Sequence, residues 1–288
     1  MKSLFSKFKN LLLIGAYKIL VIFERLTNKG IALDFISKDY IDNPYKTYNL
    51  MRSHKPILFS QTTRLHWVTK MEYAQEMLRD KRFSVDDRKY PIAEKRRKEF
   101  KKAGREIMLE QFENPSMLKL DPPDHSRIRK LVQYGFTNRY ITSLEPEIKK
   151  IVEDCLDKVH NQDSFDLIED LAKPLPAIVI AKMMGLPNED LDQFQAWSED
   201  LLVGVGGIGT SSEDIKKSGD AYEALINYFE EIILSRRDSP GEDFIGKLIL
   251  AEEEGDKLNI KEMYGTCLLL LIAGHETTTR LIGNGMFA

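Results

Sequence analysis

The 288-residue chain has 42% hydrophobic residues, enough to bury a sizeable core in one large domain or two ordinary ones, and this excludes a disordered tail. Its 42 basic and 45 acidic residues give a formal net charge of -3, so no bulk attraction to nucleic acid is indicated. Cys155 and Cys267 lie far apart without a CxxC pair, so neither a disulfide framework nor a thiolate zinc site is indicated, and a reducing, cytoplasmic setting is favoured.

The N-terminal residues 1–34 form a basic and apolar extension. Three lysines precede an apolar run over residues 11–23, which Lys18 interrupts. The run is short for a membrane span, which needs about 20 apolar residues, and no signal-peptide cleavage site follows it. Two alternatives remain: a basic amphipathic helix that contacts an anionic membrane surface through residues 1–26, or a helix docked on the fold.

After this extension the pattern changes to short extended pieces between helices. Residues 43–54 predict a helix with Asn43 as its cap and Pro44 in its first turn. Residues 57–60 and 66–69 flank the turn-like QTTR, and this arrangement predicts a small β-hairpin.

Helical sequence dominates the rest of the chain, beginning with helical spacing over residues 70–79. Residues 91–114 are highly charged and predict a solvated helical or flexible segment rather than a dedicated basic docking patch. The helical pattern is nearly continuous from Pro122 onward. Its breaks are GLPNED (185–190), VGVGGIGTSSED (203–214) and SPGED (239–243). The glycine-rich break lacks phosphate-loop spacing and predicts a helix connection. The sequence therefore predicts a mainly α (α+β) fold with a small β-sheet near its start.

A pair of donor side chains stands in LDPPDHSRIRKLV. Two prolines and an aspartate predict a helix start, after which His125 and Arg129 lie at i and i+4 on one face. Such a pair suits a bound carboxylate or phosphate. The alternative is a surface histidine and arginine that are solvated or paired with acids.

The last predicted helix, from Leu258 onward, has an unusual centre. Its apolar spacing indicates a largely buried helix, yet the centre reads IAGHETTTR. A zinc-protease motif would need a second His at Thr279, so that chemistry is excluded. A helical glycine costs about 1 kcal/mol relative to alanine, and a buried acid needs a partner or a wet cavity. A small residue, an acid and a Thr hydroxyl in one place suit a bound ligand and proton transfer, although close packing and a solvated edge explain Gly274 or Glu276 taken singly.

These motifs resemble one known family. The residues AGHETT, 273–278, resemble the oxygen-activation segment in the central helix of bacterial cytochrome P-450, the haem-thiolate monooxygenases. Residues 120–139 resemble the family's helix that carries His and Arg to the haem propionates, and residues 171–187 resemble the helix two elements later. Their order and spacing agree across residues 35–288, which the resemblance assigns to one partial cytochrome P-450 domain.

The resemblance implies a cofactor and residues that bind it. The cofactor would be haem b, whose propionates His125 and Arg129 would hold. Ala273 and Gly274 would lie against the haem.

The resemblance also implies catalytic roles. Thr277 would hydrogen-bond dioxygen or its water, Glu276 would belong to a proton relay, and His275 would face away from the iron. Residues 91–117 and 201–218 match the family's variable substrate-contacting regions.

The sequence departs from the family at the metal ligand. In the family a Cys thiolate in a loop like F-x-x-G-x-x-x-C-x-G holds the iron, and an E-x-x-R pair precedes that loop. Neither pattern occurs up to Ala288, and neither Cys155 nor Cys267 lies in such a loop. The expectation is therefore no metal ligand in this chain, which would be an N-terminal part that is inactive alone.

Three functions remain open. The first is a partial monooxygenase, cytoplasmic or peripheral at the membrane, that oxidises a small organic substrate with electrons from ferredoxin-type or flavodoxin-type redox partners. The second is a non-catalytic helical binding or scaffold module. The third is an unstable pseudogene product, because its central helix would expose a face that evolved to be buried.

Overall fold

The computed structural model describes residues 2–102, 104–203, 211–253 and 255–288. It divides the chain into two compact units, Met1–Phe83 and Ser84–Ala288. The sequence-based division at residue 34 stays a prediction.

The first unit combines helices with one hairpin. Its elements are α1 (Lys2–Thr27), α2 (Lys38–Asp42), α3 (Tyr45–His54), β1 (Ile57–Ser60), β2 (Leu65–Val68) and α4 (Met71–Arg79). The antiparallel register places Ile57 opposite Val68 and Ser60 opposite Leu65. The predicted hairpin is confirmed, with its second strand one residue earlier than expected.

The start of α3 differs from the sequence-based assignment. Pro44 occupies the N-cap position of α3 and makes no side-chain capping hydrogen bond, whereas Asn43 is the C-cap of α2. Asn43 follows this five-residue helix and donates its backbone N–H to the Asp39 carbonyl oxygen.

One face of α1 is docked on the hairpin of the same unit. The Glu24 carboxylate is fully buried and accepts hydrogen bonds from Ser60 Oγ at 3.1 Å and from the backbone N–H groups of Gln61 and Thr62 at 3.1 and 3.2 Å. A buried carboxylate is costly unless such donors surround it. Val21, one turn before Glu24, is buried on the same face. This carboxylate therefore fixes which side of α1 faces inward.

The second unit is nearly all helical. Its elements are α5 (Ala93–Lys102), α6 (Glu106–Glu113), α7 (Asp124–Gln133), α8 (Asn138–Ser143), α9 (Glu145–Asp157), α10 (Pro174–Met183), α11 (Leu191–Val203), α12 (Ser212–Ser235), α13 (Phe244–Leu250), β3 (Glu252–Glu253), β4 (Asp256–Lys257) and α14 (Ile260–Phe287). A π-helical turn, Ile168–Ala172, precedes α10. The predicted mainly helical fold is confirmed. The core of the predicted glycine-rich connection, residues 204–210, lies outside the described residues.

The core of this unit lies where α10, α11, α12 and α13 meet α14. Phe194 on α11 and Phe229 on α12 meet edge to face with ring centroids 6.2 Å apart. Cys267 and Leu271 of α14 are fully buried against this cluster. Aromatic pairs of this geometry stabilise a core beyond the area that they bury. The buried half of α14 is therefore held from several sides.

The start of α13 is closely packed. Asp243 caps this helix by accepting from the Gly246 N–H at 3.0 Å, and it pairs with Arg236 at 3.2 Å. Arg236 also donates to the Met184 carbonyl at 3.1 Å. A Cβ atom on Gly246 would lie 1.8 Å from the carbonyl oxygen of Gly241. Only glycine fits at position 246.

The charged segment 91–114 forms α5 and α6. Arg97 on α5 pairs with Glu113 on α6, while Lys101 and Lys102 at the end of α5 are exposed. Of the helices in the described part of the chain, none has both the length and the apolar content needed to span a bilayer.

Candidate functional site

The middle of α14 has one buried face and one open face. Cys267, Leu271 and His275 are buried. The exposed residues recur at the same helical spacing on the other side; they are Ala273, Thr277, Arg280, Leu281 and Asn284. The first two are small, so the backbone of α14 is accessible at this point.

Thr277 and Glu276 occupy neighbouring positions at this open face. Thr277 Oγ1 donates to the Ala273 carbonyl oxygen at 2.6 Å, a hydrogen bond within the helix of a kind that threonine often makes. Glu276 forms an ion pair with Arg280, one turn later. The acid is thus partnered and partly exposed, which removes the burial penalty that its position in the sequence suggested.

Gly274 faces α10 and not the open face of α14. A Cβ atom at this position would lie 2.9 Å from Cδ1 of Ile180. The structure therefore brings Ala273 and Thr277 together on the open face and places Gly274 at a close helix contact, the packing alternative considered from the sequence.

His275 lies on the buried side of α14. Its side chain is 2% exposed, and its Nδ1 atom has no hydrogen-bond partner among the described residues. Burial lowers the pKa of the imidazole below its ordinary value of 6.5, and the Lys173 carbonyl and the Glu199 and Glu276 carboxylates oppose this only in part. The ring is therefore neutral in the folded protein at neutral pH.

This burial predicts a pH dependence of stability. The unfolded chain binds a proton at His275 more readily than the folded chain does, so the free energy of unfolding should fall as pH drops below 6.5 and level off below the folded pKa. Chemical denaturation at a series of pH values measures this slope. His275→Gln should remove it, whereas His160→Gln, at an exposed histidine on the same unit, should leave it. Equal slopes in both variants would contradict the prediction.

His125 and Arg129 lie on α7, whose buried residues Ile128, Leu131 and Val132 anchor the adjoining face of the helix in the core. His125 is half-buried and Arg129 is exposed. Within the described ranges, neither side chain has a hydrogen bond or an ion pair. The alternative of pairing with acids of the protein is thus not what these contacts show, whereas the alternative of a solvated surface pair agrees with them.

Arg127, two residues away on α7, is used differently. It pairs with Glu262 in the first turn of α14 and lies 3.5 Å from Asp256. Arg127 therefore connects α7 to the start of α14. His125 and Arg129, on the other side of α7, do not share in these ion pairs.

Both thiols are buried in helices. Burial raises the pKa of the Cys267 thiol in α14 to about 12, and burial likewise raises the pKa of Cys155 in α9. Neither side chain supplies an accessible thiolate.

The family model for cytochrome P450 matches residues 26–287. The chain belongs to the cytochrome P450 family. The polyketide biosynthesis cytochrome P450 PksS of Bacillus subtilis is 33% identical over 257 residues, which cover 87% of this chain and 61% of that protein. The biotin biosynthesis cytochrome P450 of the same organism is 34% identical and covers 89% of this chain and 62% of that protein. The chain thus spans about 60% of the length of these two relatives.

Solved cytochrome P450 structures have the same fold. Substrate-free CYP109E1 from Bacillus megaterium superimposes with a TM-score of 0.72 at 32% identity, covering 85% of this chain and 60% of that one. P450BioI, solved in complex with an acyl carrier protein that carries hexadec-9Z-enoic acid, gives a TM-score of 0.73 at 31% identity and covers 86% and 62%. Members of this family bind haem b and its iron.

The side chains of this cytochrome P450 fit a haem group. A haem presents two carboxylates and a broad apolar ring. The carboxylates need hydrogen-bond donors that are not already paired with protein acceptors, and the ring needs a face with small side chains. His125 and Arg129 supply unshared donors, and Ala273 and Thr277 supply the small face. The observed donor chemistry therefore agrees with the cofactor of the family.

Two contacts at this site were missed from the sequence. The i, i+4 spacing of Glu276 and Arg280 is a signal for their ion pair that could have been found. The contact of Gly274 with Ile180 joins segments almost a hundred residues apart, and no local pattern indicates it.

Proposed function

We propose that this chain contributes the oxygen-activation helix and the propionate-binding helix of a haem-dependent monooxygenase. The observation that carries the proposal is the open face of α14, where Ala273 and Thr277 share one side and the Glu276 carboxylate is adjacent. Bound haem supplies the iron chemistry that reduces dioxygen and oxidises an organic substrate.

In this proposal two helices hold the cofactor. His125 and Arg129 donate to the propionates, and the planar guanidinium suits a carboxylate particularly well. Ala273 leaves room for the ring, and Gly274 lets α14 approach α10 closely so that Ala273 is presented. Neither Cys155 nor Cys267 is proposed as the axial ligand, because both thiols are buried in helices.

The catalytic side chains of the proposal control protons. The Thr277 hydroxyl donates its hydrogen bond to the Ala273 carbonyl oxygen. Its oxygen lone pairs can therefore accept a hydrogen bond from a water or a protonated ligand at the open face. Glu276, paired with Arg280 and partly exposed, exchanges protons with solvent and passes them toward Thr277.

The wider setting is also proposed by family resemblance. The substrate is a small organic molecule, the electron donors are ferredoxin-type or flavodoxin-type proteins, and residues 35–288 form the cytochrome P450 part. Two free cysteines, Cys155 and Cys267, suit a cytoplasmic location. The alternative of a non-catalytic scaffold predicts no specific haem binding.

Replacing Thr277 tests the catalytic proposal. In a haem-loaded monooxygenase that contains this chain together with a ligand for the iron, Thr277→Ala should lower the product formed per reduced nicotinamide consumed by about tenfold or more, because proton delivery at the open face of α14 would be less controlled. The lost reducing equivalents should appear as hydrogen peroxide. Thr277→Ser should retain most of the coupling.

Thr279→Ala is the matched control. Its hydroxyl makes the same kind of bond, to the His275 carbonyl at 3.0 Å, but it lies on the other side of α14. Coupling that falls equally in Thr277→Ala and Thr279→Ala would assign the effect to the helix backbone and overturn the catalytic role.

A further inference from the structure

Among the described residues of the first unit, the outer face of α1 carries an exposed apolar stripe. The stripe consists of Ile19, Ile22, Phe23 and Leu26, which are 68%, 57%, 51% and 79% exposed. These positions follow helical spacing and lie opposite the docked face of α1. Most of the stripe precedes residue 26, where the family match begins. The stripe is therefore a feature of this chain beyond the matched cytochrome P450 region.

The charged residues in the sequence around the stripe are mostly basic. Residues 1–33 contain six basic residues and one acid; the basic residues are Lys2, Lys7, Lys9, Lys18, Arg25 and Lys29. The single acid, Glu24, is buried and hydrogen-bonded on the docked face. Lys18 and Arg25, seven residues apart, are exposed along the same flank of the stripe, and the Arg25 guanidinium lies 3.5 Å from the Asp34 carboxylate. The solvent side of α1 is thus apolar in the middle and cationic at the edge.

We propose that the stripe of α1 docks this protein on an anionic lipid surface. A helix with an apolar face and a basic flank lies in the plane of a bilayer, with its apolar side chains at the boundary between headgroups and acyl chains. Lysine and arginine add an attraction to anionic lipids that falls off within a Debye length. Charge selects this occupant over a second copy of the chain, because two cationic faces would repel each other.

The orientation of α1 supports docking rather than insertion. The inner face is held by Glu24 and by Tyr17, whose hydroxyl accepts from the Phe35 N–H at 2.8 Å. A helix fixed to the protein along one side can present only its other side to a membrane. Lys18 lies within the apolar run, where a buried lysine would be costly for a spanning helix.

Sedimentation of the full chain with lipid vesicles tests the proposal. We expect binding to vesicles of phosphatidylcholine mixed with phosphatidylglycerol, and much weaker binding to phosphatidylcholine alone. The double variant Ile22→Ser, Phe23→Ser should bind the anionic vesicles at least about tenfold more weakly because it loses two apolar side chains. Lys18→Gln should weaken binding to anionic vesicles about fivefold.

A matched control lies on α4. Leu78 is 81% exposed in the same unit, and Leu78→Ser should bind vesicles as the unaltered chain does. Circular dichroism should show the same helix content in all variants, because every altered side chain is exposed. Unchanged vesicle binding by the double variant would overturn the proposal. Loss of self-association instead of vesicle binding would also overturn it, by showing that the stripe joins two copies.

Discussion

Gly246→Ala is expected to lower the free energy of unfolding by about 3 kcal/mol, because a new side-chain atom would collide with backbone that cannot rotate away. The added Cβ would lie 1.8 Å from the carbonyl oxygen of Gly241 and 2.6 Å from its carbon. Making room for it requires the loop before α13 to move. That movement would separate Asp243 from the Gly246 N–H and from Arg236.

The effect extends past the loop because α13 contributes much of the core. Phe244, Ile245 and Leu248 of this helix are fully buried in the main apolar cluster. Urea denaturation followed by circular dichroism measures the change. Gly265→Ala is the matched control, since Gly265 is also buried within a helix but its Cβ would meet only Gln111 Oε1 at 3.7 Å. That variant should gain up to about 1 kcal/mol from helix propensity. Similar losses in both variants would refute the steric argument.

Arg129→Gln is expected to reduce haem affinity by at least about tenfold, and His125→Gln combined with it should reduce affinity further. In the proposed role, Arg129→Gln replaces the charged planar guanidinium by a neutral amide, and hydrogen bonds between charged groups are the strong ones. Titration of the apoprotein with haemin, followed by the Soret absorbance, measures the affinity. Transfer of haem from the loaded protein to apomyoglobin measures its release without reference to activity.

Arg127→Gln provides the comparison on the same helix. Arg127 is engaged with Glu262 and Asp256, so its replacement should lower the free energy of unfolding while leaving haem affinity nearly unchanged. The reverse pattern, with haem lost in Arg127→Gln and retained in Arg129→Gln, would show that the propionates are held elsewhere.

Much of the fold could be predicted because its signals are local. Short runs around QTTR predicted the hairpin, and its register confirms both strands to within one residue. The apolar spacing after Leu258 predicted α14, which begins at Ile260 behind an Asn259 capping box. The spacing of His125 and Arg129 also placed them on one helix face.

Other features depend on contacts that the sequence does not encode locally. Nothing next to Glu24 in the sequence indicates a buried carboxylate, because most of its donors come from the hairpin turn some 36 to 38 residues later and one comes from the Leu33 N–H. The contact of Gly274 with Ile180 on α10 likewise has no local signal in the sequence. At the site, the motif indicates which residues to consider, whereas the position of Gly274 depends on the packing of α10 against α14. The cofactor-binding and catalytic roles of these residues stay predictions.

The Glu24 hydrogen bonds also affect where this protein can be shortened for expression. A chain starting at residue 26, where the family match begins, would lack the acceptor of Ser60, Gln61 and Thr62. The turn of the hairpin would then contain hydrogen-bond donors without an acceptor. Leu33, which is fully buried in the intact chain, would lose the helix that packs beside it. A useful truncation point therefore lies before Tyr17, which is earlier than similarity to relatives alone would suggest.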